Sequence, residues 1–131
     1  HYIARHCVRD VLRAQNNNME IWYASDVDGG EKGSVFAPFF GIPTASLTAV
    51  SRIKKLSGAA IVPIQFFRLD NEFKYEVVLS AEIEDFPSSD EVQNATRLNA
   101  SIEEAVRAHP EQYVWQYKRF KTRPPGEKRF Y

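Results

Sequence analysis

The stretch that decides the fold runs from residue 59 to residue 83. Its first part is Ala59-Ala60-Ile61-Val62-Pro63-Ile64-Gln65-Phe66-Phe67-Arg68-Leu69, an almost unbroken apolar run. A run of that length rich in Ile, Val and Phe reads as a strand covered on both faces. Pro63 cannot donate to a ladder, so it marks a bulge or a locally unpaired edge. After Asp70-Asn71-Glu72, the segment Lys74 to Ile83 places Tyr75, Val77, Leu79, Ala81 and Ile83 in alternation with polar residues. Alternation with period two predicts a half-buried strand, and the turn between the runs predicts an antiparallel hairpin.

Helices flank this pair on both sides. Upstream, Ala49, Val50, Ile53 and Leu56 share one face of a helix expected over 45–57, and Gly58 supplies its left-handed stop. Downstream, Val92, Ala95, Leu98, Ile102, Ala105 and Val106 line one face of a long helix, with Ser88 and Glu91 spaced as a capping box. Thr44, Ser46 and Thr48 stand where the first of these helices should begin, as caps or as a phosphate site.

Further out, residues 2–15 carry Ile3, Cys7, Val8, Val11 and Leu12 at helical spacing, and Asn16-Asn17-Asn18 ends that helix. Met19 to Ala24 reads as a short strand, Ser25 to Gly33 as a polar loop, and Val35 to Ile42, broken by Pro38 and Gly41, as an extended, partly buried loop. Pro110 opens a last short helix over 111–121. The order of elements implies an α/β fold of helices packed on a small mixed sheet, in a single domain over 1–131.

Composition narrows the function. The chain has 131 residues, 44% hydrophobic and 26% charged, which is globular rather than disordered. Seventeen Lys and Arg balance seventeen Asp and Glu, so any electrostatic targeting must come from local patches. The one cysteine, Cys7, excludes a disulfide framework and a Cys-rich zinc site; it lies on the apolar side of the first helix and reads as a buried, inert thiol, since the sequence places no activating His for it. No apolar run reaches the roughly 18 residues of a membrane-crossing helix.

Three segments resemble the C-terminal half of the bacterial lipid A biosynthesis acyltransferases, the lauroyl/myristoyl transferase family. The first is Ile21-Trp22-Tyr23-Ala24-Ser25-Asp26-Val27-Asp28, continuing through Lys32-Gly33-Ser34-Val35-Phe36-Ala37-Pro38-Phe39-Phe40-Gly41. The second is Thr44 to Val50 with Gly58-Ala59-Ala60-Ile61-Val62-Pro63. The third is Pro110-Glu111-Gln112-Tyr113-Val114-Trp115 with Lys118-Arg119-Phe120-Lys121-Thr122-Arg123-Pro124. The resemblance implies a glycerophosphate-acyltransferase-like fold. It implies transfer of a fatty acyl chain from acyl carrier protein or acyl-CoA to a lipid A precursor, at the cytoplasmic face of the inner membrane. No cofactor, metal or nucleic acid is implied.

The family's base is a His with an acid five positions later. Here the residue five after His1 is His6, after His6 is Val11, and after His109 is Val114. No catalytic residue is therefore assigned. The chain, which begins with His1, is expected to be a fragment that is inactive alone. His6 and Asp10 are four apart, a spacing that helices produce by themselves.

The remaining candidates bind rather than react. Asp26 and Asp28 can hold sugar hydroxyls in a cleft, or simply shape a turn. As a metal site the pair lacks the rest of a calcium loop, because the twelfth position from Asp26 is Ala37. Lys32 can pair with a headgroup or phosphopantetheine phosphate, and Gly33 lets backbone approach closely. Phe36 and Phe39 can line an acyl groove or belong to the core. Arg119, Lys121 and Arg123 form a basic edge suited to a membrane surface or an acidic carrier protein. The same basic, aromatic tail suits an alternative, a non-catalytic module that binds RNA or protein.

Overall fold

The computed structural model describes residues 7–69 and 73–131. Its elements are α1 (Val8–Asn16), β1 (Ser34–Phe39), β2 (Ile42–Leu47), α2 (Ala49–Ser57), β3 (Ile64–Arg68), β4 (Tyr75–Leu79) and α3 (Glu91–Ala108), followed by one 3-10 turn at Pro110–Gln112. The architecture is α/β, as expected, with helices packed on strands. The strands form two separate antiparallel pairs, β1-β2 and β3-β4, rather than one mixed sheet.

The central hairpin replaces two sequence expectations. The sequence predicts a loop over Val35 to Ile42 and helix at Ala45, but both lie in the β1-β2 ribbon, where Phe36 faces Ala45 and Pro38 faces Pro43. Pro38 fits because a two-stranded ribbon has an outer edge on each strand, where a missing N–H costs nothing. The strands are joined at Phe40-Gly41, where φ is 49° and 75°. Two positive φ values in a two-residue turn match the twist of antiparallel strands. Gly41 adopts this freely. Phe40 is held in it, because its N–H donates to Glu103 Oε1 at 2.8 Å and its ring lies 5.0 Å from the Arg107 guanidinium. The helix expected over 45–57 therefore starts only at Ala49, and Thr44 and Ser46 are strand residues. Thr48 is the N-cap but makes no side-chain cap bond. Its hydroxyl donates to the Gly33 carbonyl at 3.2 Å instead.

Other segments differ in extent. The described part of the first helix begins at Val8, and its expected residues 2–6 lie outside the described residues. Met19 to Ala24 is irregular, because no described strand pairs with it. The run 59–69 yields only five residues of strand, and they are not covered on both faces: Gln65 and Phe67 are half-buried while Ile64 and Phe66 are exposed. Its partner β4 carries Tyr75, Val77 and Leu79 in water, so it is not half-buried either. The expected helix over 111–121 shrinks to the 3-10 turn followed by irregular chain.

α3 clamps the layers together. Its buried face holds Asn94, Ala95, Leu98, Asn99 and Val106. Leu98 packs with Val50 and Phe86, flanked by Tyr23, Ile61 and Ile83. Asn99 Nδ2 donates to the Pro38 carbonyl at 2.8 Å and to Ser46 Oγ at 2.9 Å, which satisfies buried polar groups of the β1-β2 ribbon. The N-cap is Asp90, not Ser88: Asp90 Oδ1 accepts from the N–H groups of Val92 and Gln93. Arg97 donates to the carbonyls of Asp85 and Glu84.

Glu91 is drawn away from the expected capping box toward α2. It accepts from Ser51 Oγ and from Lys55 Nζ. Burial pushes its carboxyl up, but the bonds from Ser51, Lys55 and Asn94 and the Lys55 charge outweigh that and leave it below the ordinary value of 4.5. A depressed folded pKa stabilises fully above the unfolded value and loses that stabilisation as pH falls through the folded one. The stability difference between the protein and Glu91→Gln, from urea unfolding, should hold near neutral pH and shrink toward zero below about pH 4. A difference unchanged by acid would show that the ionised carboxylate contributes nothing.

Candidate functional site

A mostly apolar cavity lies under β3. It measures about 380 Å³. Ile21, Tyr23, Ile61, Phe67, Leu98 and Ile102 give it apolar walls from the irregular segments 19–25 and 58–63, from β3 and from α3. Polar groups also reach it: Asp26, Ser101, His109, Gln112 and Tyr113. An apolar cavity with a few convergent polar groups is the usual form of a small-ligand site.

Each polar group is positioned by local structure. Gln112 pairs with the edge of β3 as a strand would, accepting from Arg68 N–H at 2.7 Å and donating to Arg68 C=O at 3.0 Å. His109 caps the end of α3, and its ring lies 4.3 Å from that of Phe67. Tyr113 packs against Phe39 and Trp115. Burial, with the negative charge of Asp26 adding to it and Arg119 opposing, raises the Tyr113 phenol to about 12. At neutral pH it is a hydrogen-bond donor and not a base.

The nine sequence candidates do not converge on one site. Asp26 lines the cavity. Asp28 turns to the C-terminal tail instead of into a cleft: Thr122 N–H donates to its Oδ2 at 2.9 Å, while Thr122 Oγ1 and Gly30 N–H donate to its Oδ1 at 2.8 and 2.9 Å. The Tyr117 hydroxyl accepts from the Asp28 N–H. Lys32 is exposed and touches neither the cavity nor this clasp. Gly33 sits in the left-handed region at φ 78°, and its carbonyl receives Thr48. Phe36 is half-buried on β1. Phe39, 1% exposed, is core: its ring meets Phe40, Tyr113 and Phe120 rather than walling a groove.

The basic edge is corrected most strongly. Arg119 is 1% exposed. Its guanidinium donates to the Ala45 carbonyl at 3.0 Å, lies 3.4 Å from Ser46 Oγ and Asn99 Oδ1, and rests 5.4 Å from the Phe39 ring centre. Burial lowers its pKa, opposed by Tyr113 and Asp28. Arg123 donates to the Pro43 carbonyl and pairs with Glu127. Both arginines thus fasten the tail to the β1-β2 ribbon, and only Lys121 of the three is exposed. Two of the cations that an RNA-binding tail would need are internal.

Sequence reasoning missed Ser101, His109 and Gln112 as cavity residues. His109 and Gln112 flank Pro110, the residue that turns the chain from α3 toward β3, and that turn was the available signal.

The family model for bacterial lipid A biosynthesis acyltransferases matches residues 2–122. The chain belongs to this family. Among curated relatives, the lipid A biosynthesis palmitoleoyltransferase of Escherichia coli K12 is 38% identical over 130 residues, 98% of this chain and 42% of that protein. The lauroyltransferase of the same organism is 32% identical over 120 residues, 91% of this chain and 39% of that protein. Its myristoyltransferase is 33% identical over 106 residues, 81% of this chain and 33% of that protein. This member of the family thus spans less than half the length of these relatives. Among its described residues, no helix is long and apolar enough to cross a membrane.

Proposed function

We propose that this lipid A acyltransferase family member is the C-terminal part of an enzyme that moves a fatty acyl chain to a hydroxyl of a lipid A precursor. The donor is an acyl thioester, of acyl carrier protein or coenzyme A, met at the cytoplasmic face of the inner membrane. The observation that carries this reading is the family match across residues 2–122. The apolar cavity with its polar groups supports it, since a lipid-handling site needs both.

In this reaction the acceptor hydroxyl attacks the thioester carbonyl, its proton goes to a general base, and the thiol leaves with a proton returned. The base is a His with an acid five residues later, contributed from outside these 131 residues. Asp26 accepts from the acceptor hydroxyl and orients it, and the protonated Tyr113 phenol donates beside it. Ile61, Phe67 and Ile102 contact the acyl chain. Lys32 offers an exposed charge to a phosphate-bearing partner.

Two measurements test this. The 131-residue protein, given acyl carrier protein thioester and lipid A precursor, should transfer no acyl group; turnover would overturn the assignment of the base elsewhere. A fluorescent fatty acid should bind the same protein, and Ile102→Trp, which fills the cavity, should weaken it about tenfold. That is the loss expected from excluding about two methylenes at about 0.8 kcal/mol each. Equal affinity in both proteins would remove the cavity from the reading.

A further inference from the structure

We infer that the C-terminal tail builds a second binding site, a cleft for a phosphate-bearing ligand, separate from the apolar cavity. The cleft measures about 500 Å³. Lys118, Lys121, Arg123 and Arg129 line it against two carboxylates, Glu31 and Glu127. In a chain whose formal net charge is zero, this is a local excess of two positive charges. Arg123 and Glu127 pair with one another and drop out of the balance. Lys118, Lys121 and Arg129 then face the single carboxylate of Glu31. Three cations around one concavity attract an anion more strongly than the same charges spread over a convex surface.

The site is also built on fixed backbone. Thr122, one of its lining residues, is tied through N–H and hydroxyl to Asp28. The next residue, Arg123, is tied to the Pro43 carbonyl. The Lys118 ammonium stands 5.6 Å from the Tyr131 ring centre, which places an aromatic wall beside the charge. Lys118, Lys121 and Arg129 are exposed donors whose preferred partner is a phosphate oxygen. A phosphate group thus fits the chemistry, whether on a lipid headgroup or on a soluble phosphorylated sugar. Nothing in this recognition requires acyl transfer.

The test titrates the 131-residue protein with inorganic pyrophosphate by heteronuclear NMR. Shifts should concentrate at residues 118–131 and saturate. The double variant Lys118→Glu and Lys121→Glu should weaken binding at least about tenfold, with unchanged circular dichroism. Arg9→Glu, on α1, is the control for bulk charge and should leave the affinity within about twofold. No saturable shifts, or an equal loss in Arg9→Glu, would overturn the proposal. Sedimentation with phosphatidylglycerol and phosphatidylcholine vesicles separates the sources. Binding to the anionic vesicles that pyrophosphate competes away assigns a lipid headgroup. Pyrophosphate binding without vesicle binding assigns a soluble phosphorylated ligand. Vesicle binding indifferent to both pyrophosphate and the double variant would refute the cleft. Because none of these readouts involves an acyl group, their failure leaves the acyl-transfer reading standing, and the reverse holds.

Discussion

Replacing Arg119 with Ala should destabilise the fold by about 3–5 kcal/mol. Two terms add. The truncation opens a void beside Phe39, which is itself 1% exposed. It also strips a charged donor from the Ala45 carbonyl and from Asn99 Oδ1, leaving buried acceptors short of partners. Among the described residues no carboxylate forms an ion pair with Arg119, so the guanidinium is balanced by carbonyl and amide oxygens and by the Phe39 face. Arg119→Met separates the terms. It keeps most of the volume and removes the desolvated charge, so its loss should be clearly smaller. Urea unfolding of the three proteins decides the matter. A loss below about 1 kcal/mol for Arg119→Ala is the range of an exposed side chain and would put Arg119 back on a docking surface.

Asp28→Ala should cost about 2–4 kcal/mol. Three donors converge on this carboxylate, from Gly30 N–H, Thr122 N–H and Thr122 Oγ1. Truncation leaves all three to find water in a partly buried clasp. Thr122→Val removes only the hydroxyl bond and should lose a fraction of that, about 1 kcal/mol. The readout that distinguishes a clasp from a ligand-binding carboxylate is protease susceptibility. In Asp28→Ala the chain after Tyr117 should become the preferred site of cleavage, while in the parent it is protected. Wild-type stability and protection in Asp28→Ala would instead leave the carboxylate free for a ligand.

These two residues also show where sequence reading reached and where it stopped. The helix of α3 was legible because its apolar face repeats over five turns, and the stop at Gly58 was legible because φ there is 69°, which glycine adopts without strain. The β1-β2 ribbon was not, since Pro38 and Gly41 argued against a strand and only the pairing across a two-residue turn makes them tolerable. Asp26 was legible as a loop carboxylate, but its place in the cavity wall was not. Asp28 and Arg119 were misread together, because a carboxylate in a loop and an arginine in a basic tail look exposed until the fold brings residues 28 and 122, and 45 and 119, side by side. Local periodicity carries no information about contacts 74 or 94 residues apart. The family motifs were legible as pattern without that geometry.

The clasp has a consequence for how this polypeptide is made. Its longest-range bonds join residues 28–45 to residues 117–123. A ribosome releases the first group well before the second, so the ribbon and the loop over 25–33 wait unfastened until residues 117–123 emerge. Residues 117–123 act as the drawstring of the domain, and a chain cut before them would assemble its helices yet never close.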